Sequence, residues 1–100
     1  MVINSLENKK IKKYTSLKTN KGRQEHNLFL VEGMHLVEEA YKHNLLVDIL
    51  LLEDDSLSFE PNFEKGYVTE SILKKVSNLT NYSNVIGICK KFDNNKIFGD

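Results

Sequence analysis

Cysteine, proline and long apolar runs are all scarce in this chain, and each scarcity removes a class of protein. The single cysteine, Cys89, excludes an internal disulfide and suits a reducing compartment. No apolar run is long enough to cross a bilayer, and Lys9 and Lys10 arrive before any stretch that would serve as a signal-peptide core. A cytoplasmic protein without a membrane partner is the simplest expectation. Histidine is sparse too. His35 and His43 lie eight residues apart on one expected helix, too far along it to share a metal, and His26 falls in a loop. A glycine-rich cofactor loop is missing as well. Neither a metal, a cofactor nor a catalytic residue is therefore expected within these 100 residues.

What is present fits one small domain with a single core. The formal net charge is +0, with 14 basic and 14 acidic side chains, yet the distribution is uneven. Residues 1–23 hold seven of the basic residues (Lys9, Lys10, Lys12, Lys13, Lys18, Lys21, Arg23) against one acid, Glu7. A basic arm on an acidic body suits a partner with dense negative charge, such as a phosphate backbone. The alternative is a merely solvated lysine face.

Hydrophobic periodicity lays out the elements. Ile11, Tyr14 and Leu17 form an apolar stripe on a helix that starts near Asn8 and is expected to end near Thr19–Asn20. Lys21-Gly22-Arg23 then reads as a basic turn, with Gly22 supplying permissive backbone. Leu28 to Val31 reads as a strand buried on both faces. Glu32-Gly33 closes it, and a helix follows from Met34 to His43, with Leu36, Val37, Ala40 and Tyr41 facing inward and Asn44 ending it. Leu45 to Leu52 is a second buried strand, apolar except for Asp48. This strand–helix–strand order predicts parallel pairing through a crossover.

Beyond it, Glu53 to Gly66 is an acidic surface excursion carrying the only proline, Pro61, and tethered by Leu57, Phe59 and Phe63. Asp54 and Asp55 lack ligand spacing for a metal. Acidic loops repel polyanions, so this edge should face away from one. Gly66 to Val68 is extended, Thr69 caps a helix through Val76, and a polar segment from Asn78 to Asn84 leads into a last strand, Val85 to Cys89. Gly87 in that strand implies a close packing neighbour or a bulge. The fold class read from this is α/β: a three-layer α/β/α sandwich around a small, mainly parallel sheet.

Certain of these residues also carry a resemblance. Ile3, Ser5, Asn8, Ile11-Lys12 and Leu17, then Lys21-x-Arg23, Phe29-Leu30-Val31-Glu32-Gly33 and Leu36-Val37-x-x-Ala40 are similar to the amino-terminal substrate-binding domain of SpoU-type (TrmH-like) RNA ribose 2′-O-methyltransferases. Val68-Thr69, Leu73 and Val85-Ile86-Gly87-Ile88 extend the likeness to nearly the whole chain. Ser83-Asn84 departs from the family's more usual Gln-Gly, and Lys9 stands where the family often has proline.

The resemblance implies a ribosomal-protein-like RNA-binding fold over residues 1–92, with 93–100 starting a linker to a separate methyltransferase domain. That further domain would bind S-adenosylmethionine, carry the catalytic groups and form a homodimer; these residues alone would transfer no methyl group. The implied partner is structured RNA, ribosomal ahead of transfer RNA. Candidate RNA contacts are Lys12, Lys13, Lys21 and Arg23 for phosphate, and Thr80, Ser83 and Asn84 for bases or 2′-hydroxyls. Glu32 either accepts N–H bonds at the following helix start or orients Arg23. A freestanding RNA-binding module and a protein-interaction domain with a basic helix stay open beside this reading.

Overall fold

The computed structural model describes residues 2–3, 5, 7–78 and 82–91. In chain order these form β1 (Val2–Ile3), α1 (Lys9–Ser16), α2 (Asn20–His26), β2 (Leu28–Glu32), α3 (Met34–Lys42), β3 (Leu46–Leu52), β4 (Gly66–Val68), α4 (Glu70–Val76) and β5 (Val85–Lys90). The strands make one sheet in the order β1-β4-β3-β5-β2. Parallel pairing is found for β1 with β4 and for β4 with β3. β5 runs antiparallel to both of its neighbours, so the sheet is mixed. β2 and β3 do point the same way, as the helix between them requires, but β5 lies in the gap. Only a strand apolar on both faces can fill such a position, and Val85 through Cys89 are all buried.

Side chains of β5 alternate between two cores. Ile86 and Ile88 join Ile11, Tyr14, Leu17, Leu50, Val68, Ile72, Leu73 and Val76 under α1 and α4. Val85 and Cys89 join Val31, Val37, Ala40, Leu45, Leu46, Ile49 and Leu51 under α3. Helices thus cover both faces, giving the expected three layers. A Cβ on Gly87 would stand 2.7 Å from Leu46 and 3.0 Å from Val31, so the absence of a side chain there lets both sides close. One extra residue, Val47, is bulged out of β3 between Leu46 and Asp48 and is 44% exposed. The bulge turns Leu46 to the α3 core while Asp48 faces α1.

The acidic excursion packs where its apolar residues were expected to hold it. Leu57, Phe59 and Phe63 lie against the α3 core, with the Phe59 ring stacked on Tyr41 at 4.8 Å and Phe63 edge-on to it at 6.4 Å. Leu36, expected inside, is instead 44% exposed on the outer side of α3. Asn44 adopts the left-handed conformation expected of it, at φ 60°. No helix among the described residues is long and apolar enough to cross a membrane.

The largest departure from the sequence reading is between α1 and β2. The first helix stops at Ser16, and Lys21-Gly22-Arg23 is not a turn but the first half of a second helix. Thr19 restarts the helix: its hydroxyl accepts the Gly22 N–H at 3.1 Å, which supplies a side-chain N-cap. Gly22 is buried because α2 crosses the end of α1 so closely that a Cβ would sit 1.9 Å from the Ser16 carbonyl oxygen. Asn27, left-handed at φ 58°, ends α2 and turns the chain into β2.

Candidate nucleic-acid interface

α1 carries its lysines on several sides, and the structure separates their roles. The Asn8 side chain starts the helix by accepting the N–H groups of Lys10 and Ile11 at 2.9 and 3.3 Å. Lys10 turns inward beside the core, its ammonium 2.8 Å from Asp48 Oδ2. The same oxygen accepts the Tyr14 hydroxyl at 2.5 Å, and Oδ1 accepts the Ile49 N–H at 2.8 Å. This buried carboxylate pins α1 to the centre of the sheet. Burial, and then the adjacent Asp48, push the Tyr14 phenol well above its ordinary value of 10.0.

The remaining cations stay near the surface. Lys12 lies on the solvent side, 2.9 Å from Glu7, a pair exposed enough to be exchanged for phosphate at little loss. The hydrogen bond from Lys12, and then its charge, lower the Glu7 carboxyl below the usual range. Lys13 and Lys21 are exposed.

Arg23 is turned back into the protein. Its guanidinium donates to the Leu17 carbonyl at 2.9 Å and to the Asn20 side chain, closing the corner between α1 and α2. Leu17 is the C-cap of α1, so the cation meets an orphan carbonyl at the negative end of that helix. The expectation that Arg23 projects from a loop is corrected accordingly: it holds the corner from which Lys18 and Lys21 extend. Glu32 does not orient it. The Glu32 carboxylate instead accepts the Ser77 hydroxyl at 2.5 Å and the Asn78 N–H at 2.8 Å.

Two features far apart in sequence meet at the end of α4. Lys18 Nζ donates to the Lys75 carbonyl oxygen at 3.2 Å. That bond places the α1–α2 corner beside the last turn of α4, which also carries Lys74 and Lys75, and directly before the polar segment 78–84. Tyr82 packs half-buried against the core under α1 and α4, with the Lys74 ammonium 5.7 Å above its ring. Partial desolvation and then Glu70 raise its phenol. Ser83 is half-buried and Asn84 exposed, the Asn84 carbonyl accepting the Leu52 N–H at 3.0 Å. Thr80 lies outside the described residues, as does the expected linker from residue 93.

The sequence reading brought Lys21, Ser83 and Asn84 forward but missed Lys18, Lys74 and Lys75 as one group. No local pattern joins residues 57 positions apart. The only available hint was the pair of lysines immediately before a polar segment. Lys12 and Lys13 are exposed on α1, Lys12 beside Glu7.

The opposite face offers different chemistry. A cleft of about 510 Å³ is lined by Tyr41, Lys42, Asn44, Leu46, Asn62 and Lys90. Its charged groups are two ammoniums, which would repel the sulfonium of S-adenosylmethionine, and its lining provides no carboxylate for ribose hydroxyls. The cofactor implied by the family likeness does not fit here. No cluster of metal-ligating side chains occurs among the described residues. Cys89 is buried, and burial pushes its thiol up to about 12, as inert core chemistry requires.

Comparison with known proteins shows what the chain is similar to. Residues 8–87 match the family described as the MRM3-like substrate binding domain. The chain is 44% identical over 54 residues to the 23S rRNA (guanosine(2553)-2′-O)-methyltransferase RlmP of Bacillus subtilis (strain 168), covering 54% of this chain and 22% of that protein. It is similar to a crystal structure of an RNA 2′-O ribose methyltransferase at 26% identity and TM-score 0.75, covering 90% of this chain and 37% of the other. An rRNA methyltransferase from Sinorhizobium meliloti shares the fold at 21% identity and TM-score 0.73, covering 92% of this chain and 37% of that one. The chain therefore spans well under half the length of each of these relatives.

Proposed function

Because this chain belongs to the MRM3-like substrate binding domain family, we propose that it docks structured RNA and presents one ribose to a methyltransferase domain of the same polypeptide. The RNA is ribosomal, and the 23S rRNA segment around guanosine 2553, named for the Bacillus subtilis relative, is the first substrate to test. In this reading residues 1–92 form the RNA-binding unit and 93–100 begin the linker. The partner domain supplies S-adenosylmethionine binding, the chemistry and a homodimer interface, and the enzyme works in the cytoplasm.

The observation that supports the reading best is the hydrogen bond between Lys18 and the Lys75 carbonyl. It brings Lys18 to the last turn of α4 with Lys74 and Lys75, where Lys74 lies over the ring of Tyr82, the residue before Ser83 and Asn84, and Lys21 stands in the first turn of the adjoining helix. Ammonium groups there meet phosphate, while hydroxyl and amide groups reach base edges and 2′-hydroxyls. Lys12 and Lys13 give peripheral phosphate contacts along α1. Arg23 serves the same surface by fixing its corner.

Fluorescence anisotropy with a labelled transcript of that 23S segment tests the proposal. Log affinity should fall steeply against log salt, and Lys18→Ala with Lys75→Ala should flatten the slope by about one unit for each phosphate no longer neutralised. A flat response in the unmodified protein would refute RNA docking.

A further inference from the structure

We propose that Glu32 is a positioning residue for RNA recognition, holding the turn at Ser77 and Asn78 against the end of β2, beside Ser83, so that Asn78, Ser83 and Asn84 meet the RNA in one fixed arrangement. This rests on the RNA-docking reading above and concerns how that surface is built. Glu32 ends β2 and is held in register opposite Ile86 of β5, so its carboxylate projects from a paired strand. Both of its oxygens are used on a single neighbouring turn. One accepts the hydroxyl of Ser77, which is only 4% exposed, and the other accepts the Asn78 N–H.

The far root is fixed at the same end of the sheet. Gly33 N–H donates to the Val85 carbonyl at 3.1 Å, and Leu52 N–H donates to the Asn84 carbonyl at 3.0 Å. Entry and exit are thereby pinned to the ends of β2 and β3. Gly33, at φ +98°, lies beside Ser83, whose oxygen is 3.9 Å from where a Cβ would stand. A side chain at 33 would strain the turn through its positive φ, although the space beside Ser83 would admit a Cβ.

Two consequences separate this role from phosphate binding and from general stability. Glu32 is an anion and adds no favourable phosphate contact, so its removal should weaken binding without changing the salt slope. Its bonds are geometric, so a carboxamide should largely replace it. The Gln oxygen can accept the Asn78 N–H, and its NH₂ can donate to a reoriented Ser77 hydroxyl.

The experiment measures affinity and salt slope for the same 23S transcript with the unmodified chain, Glu32→Ala, Glu32→Gln and Val37→Ala. Val37 is fully buried on the α3 side, so its truncation lowers stability without touching the RNA surface. Glu32→Ala should weaken binding about tenfold at unchanged slope, as removal of bonds to a charged group implies. Glu32→Gln should stay within about threefold, and Val37→Ala should bind normally despite a lower melting temperature.

If Glu32→Ala does not fold, Ser77→Ala removes the hydroxyl side of the clamp alone and should weaken binding about threefold. Normal binding by Glu32→Ala or by a folded Ser77→Ala, or an equal loss in Val37→Ala, would overturn the positioning role while leaving RNA docking intact. A flat salt response in the unmodified chain would instead overturn the docking reading, and this inference with it.

Discussion

Replacing Gly22 by Ala sets two well-characterised effects against each other. Alanine is the better helix former by about 1 kcal/mol, and Gly22 lies inside α2, so local propensity alone would stabilise the variant. The new methyl, however, would stand 1.9 Å from the Ser16 carbonyl oxygen and 2.5 Å from its carbon. Ordinary contact needs roughly 3.5 Å. The obstacle is backbone, so no rotamer change relieves it, and α2 must move away from α1 by more than an ångström. Overpacking of this kind costs about 1–3 kcal/mol, and the larger end applies where the neighbour is rigid. The net expectation is a loss of about 2 kcal/mol, or a melting temperature lower by roughly 10 °C in a domain of this size. Thermal melts and urea titrations of Gly22→Ala beside the exposed Gln24→Ala would show it. The displaced corner should also break the Arg23 bond to Leu17 and shift Lys18, weakening RNA affinity. A Gly22→Ala protein as stable as the parent would refute the close crossing.

Tyr14→Phe leaves Asp48 with Lys10 but without a buried hydroxyl bond, and should cost about 1.5–3 kcal/mol in urea denaturation. Folding raises the Tyr14 phenol above 10.0, so the folded state holds that proton more tightly. Its contribution is fully present below pH 10 and is lost as pH rises beyond it, by up to about 1.4 kcal/mol per unit. Tyr14→Phe should lack that part of the alkaline decline; identical slopes in the two proteins would count against it. Cys89 should resist iodoacetamide at pH 8 until denaturant is added, since its thiol is buried and pushed up to about 12; rapid labelling of the folded protein, followed by mass spectrometry, would contradict its placement.

Most of the architecture was legible because burial imposes a period. The runs at Leu28–Val31, Leu45–Leu52 and Val85–Cys89 hold strands, although the first, expected to be buried on both faces, is an edge strand with only Val31 buried, and Ile11, Tyr14 and Leu17 form a buried stripe. Gly87 was legible as a site of close approach, and Phe59 and Phe63 as anchors of the excursion. Pairing direction was less accessible. A strand–helix–strand order fixes that β2 and β3 run the same way but leaves open whether a later strand enters between them, as β5 does.

The α1–α2 corner was misread for a related reason. Gly22 breaks a helix on propensity alone, and only the crossing of Ser16 explains why a glycine sits inside one. Glu32 was expected to serve the start of α3 or to orient Arg23 and does neither; its partners Ser77 and Asn78 lie 45 and 46 residues away, beyond any local pattern. The same distance blindness hid the junction of Lys18 with Lys75.

The basic residues of α1 and the acids flanking Phe59 and Phe63 end up on opposite faces, and that arrangement decides when those acids matter. Lys12, Lys13 and Lys18 belong to the α1 side, while Glu60 and Glu64 adjoin Phe59 and Phe63, which anchor their part of the excursion on the α3 side. Even the shortest dimension of the domain is 25 Å. The Debye length is about 8 Å at physiological ionic strength and about 30 Å at 0.01 M. RNA on the basic side is therefore screened from Glu60 and Glu64 in the cell but feels their repulsion in dilute buffer. Glu60→Gln with Glu64→Gln should tighten RNA binding at about 0.01 M salt and leave it unchanged at about 0.15 M, as read by anisotropy. An equal gain at both concentrations would mean that the acids approach the RNA directly, and the two-faced arrangement would not describe the complex.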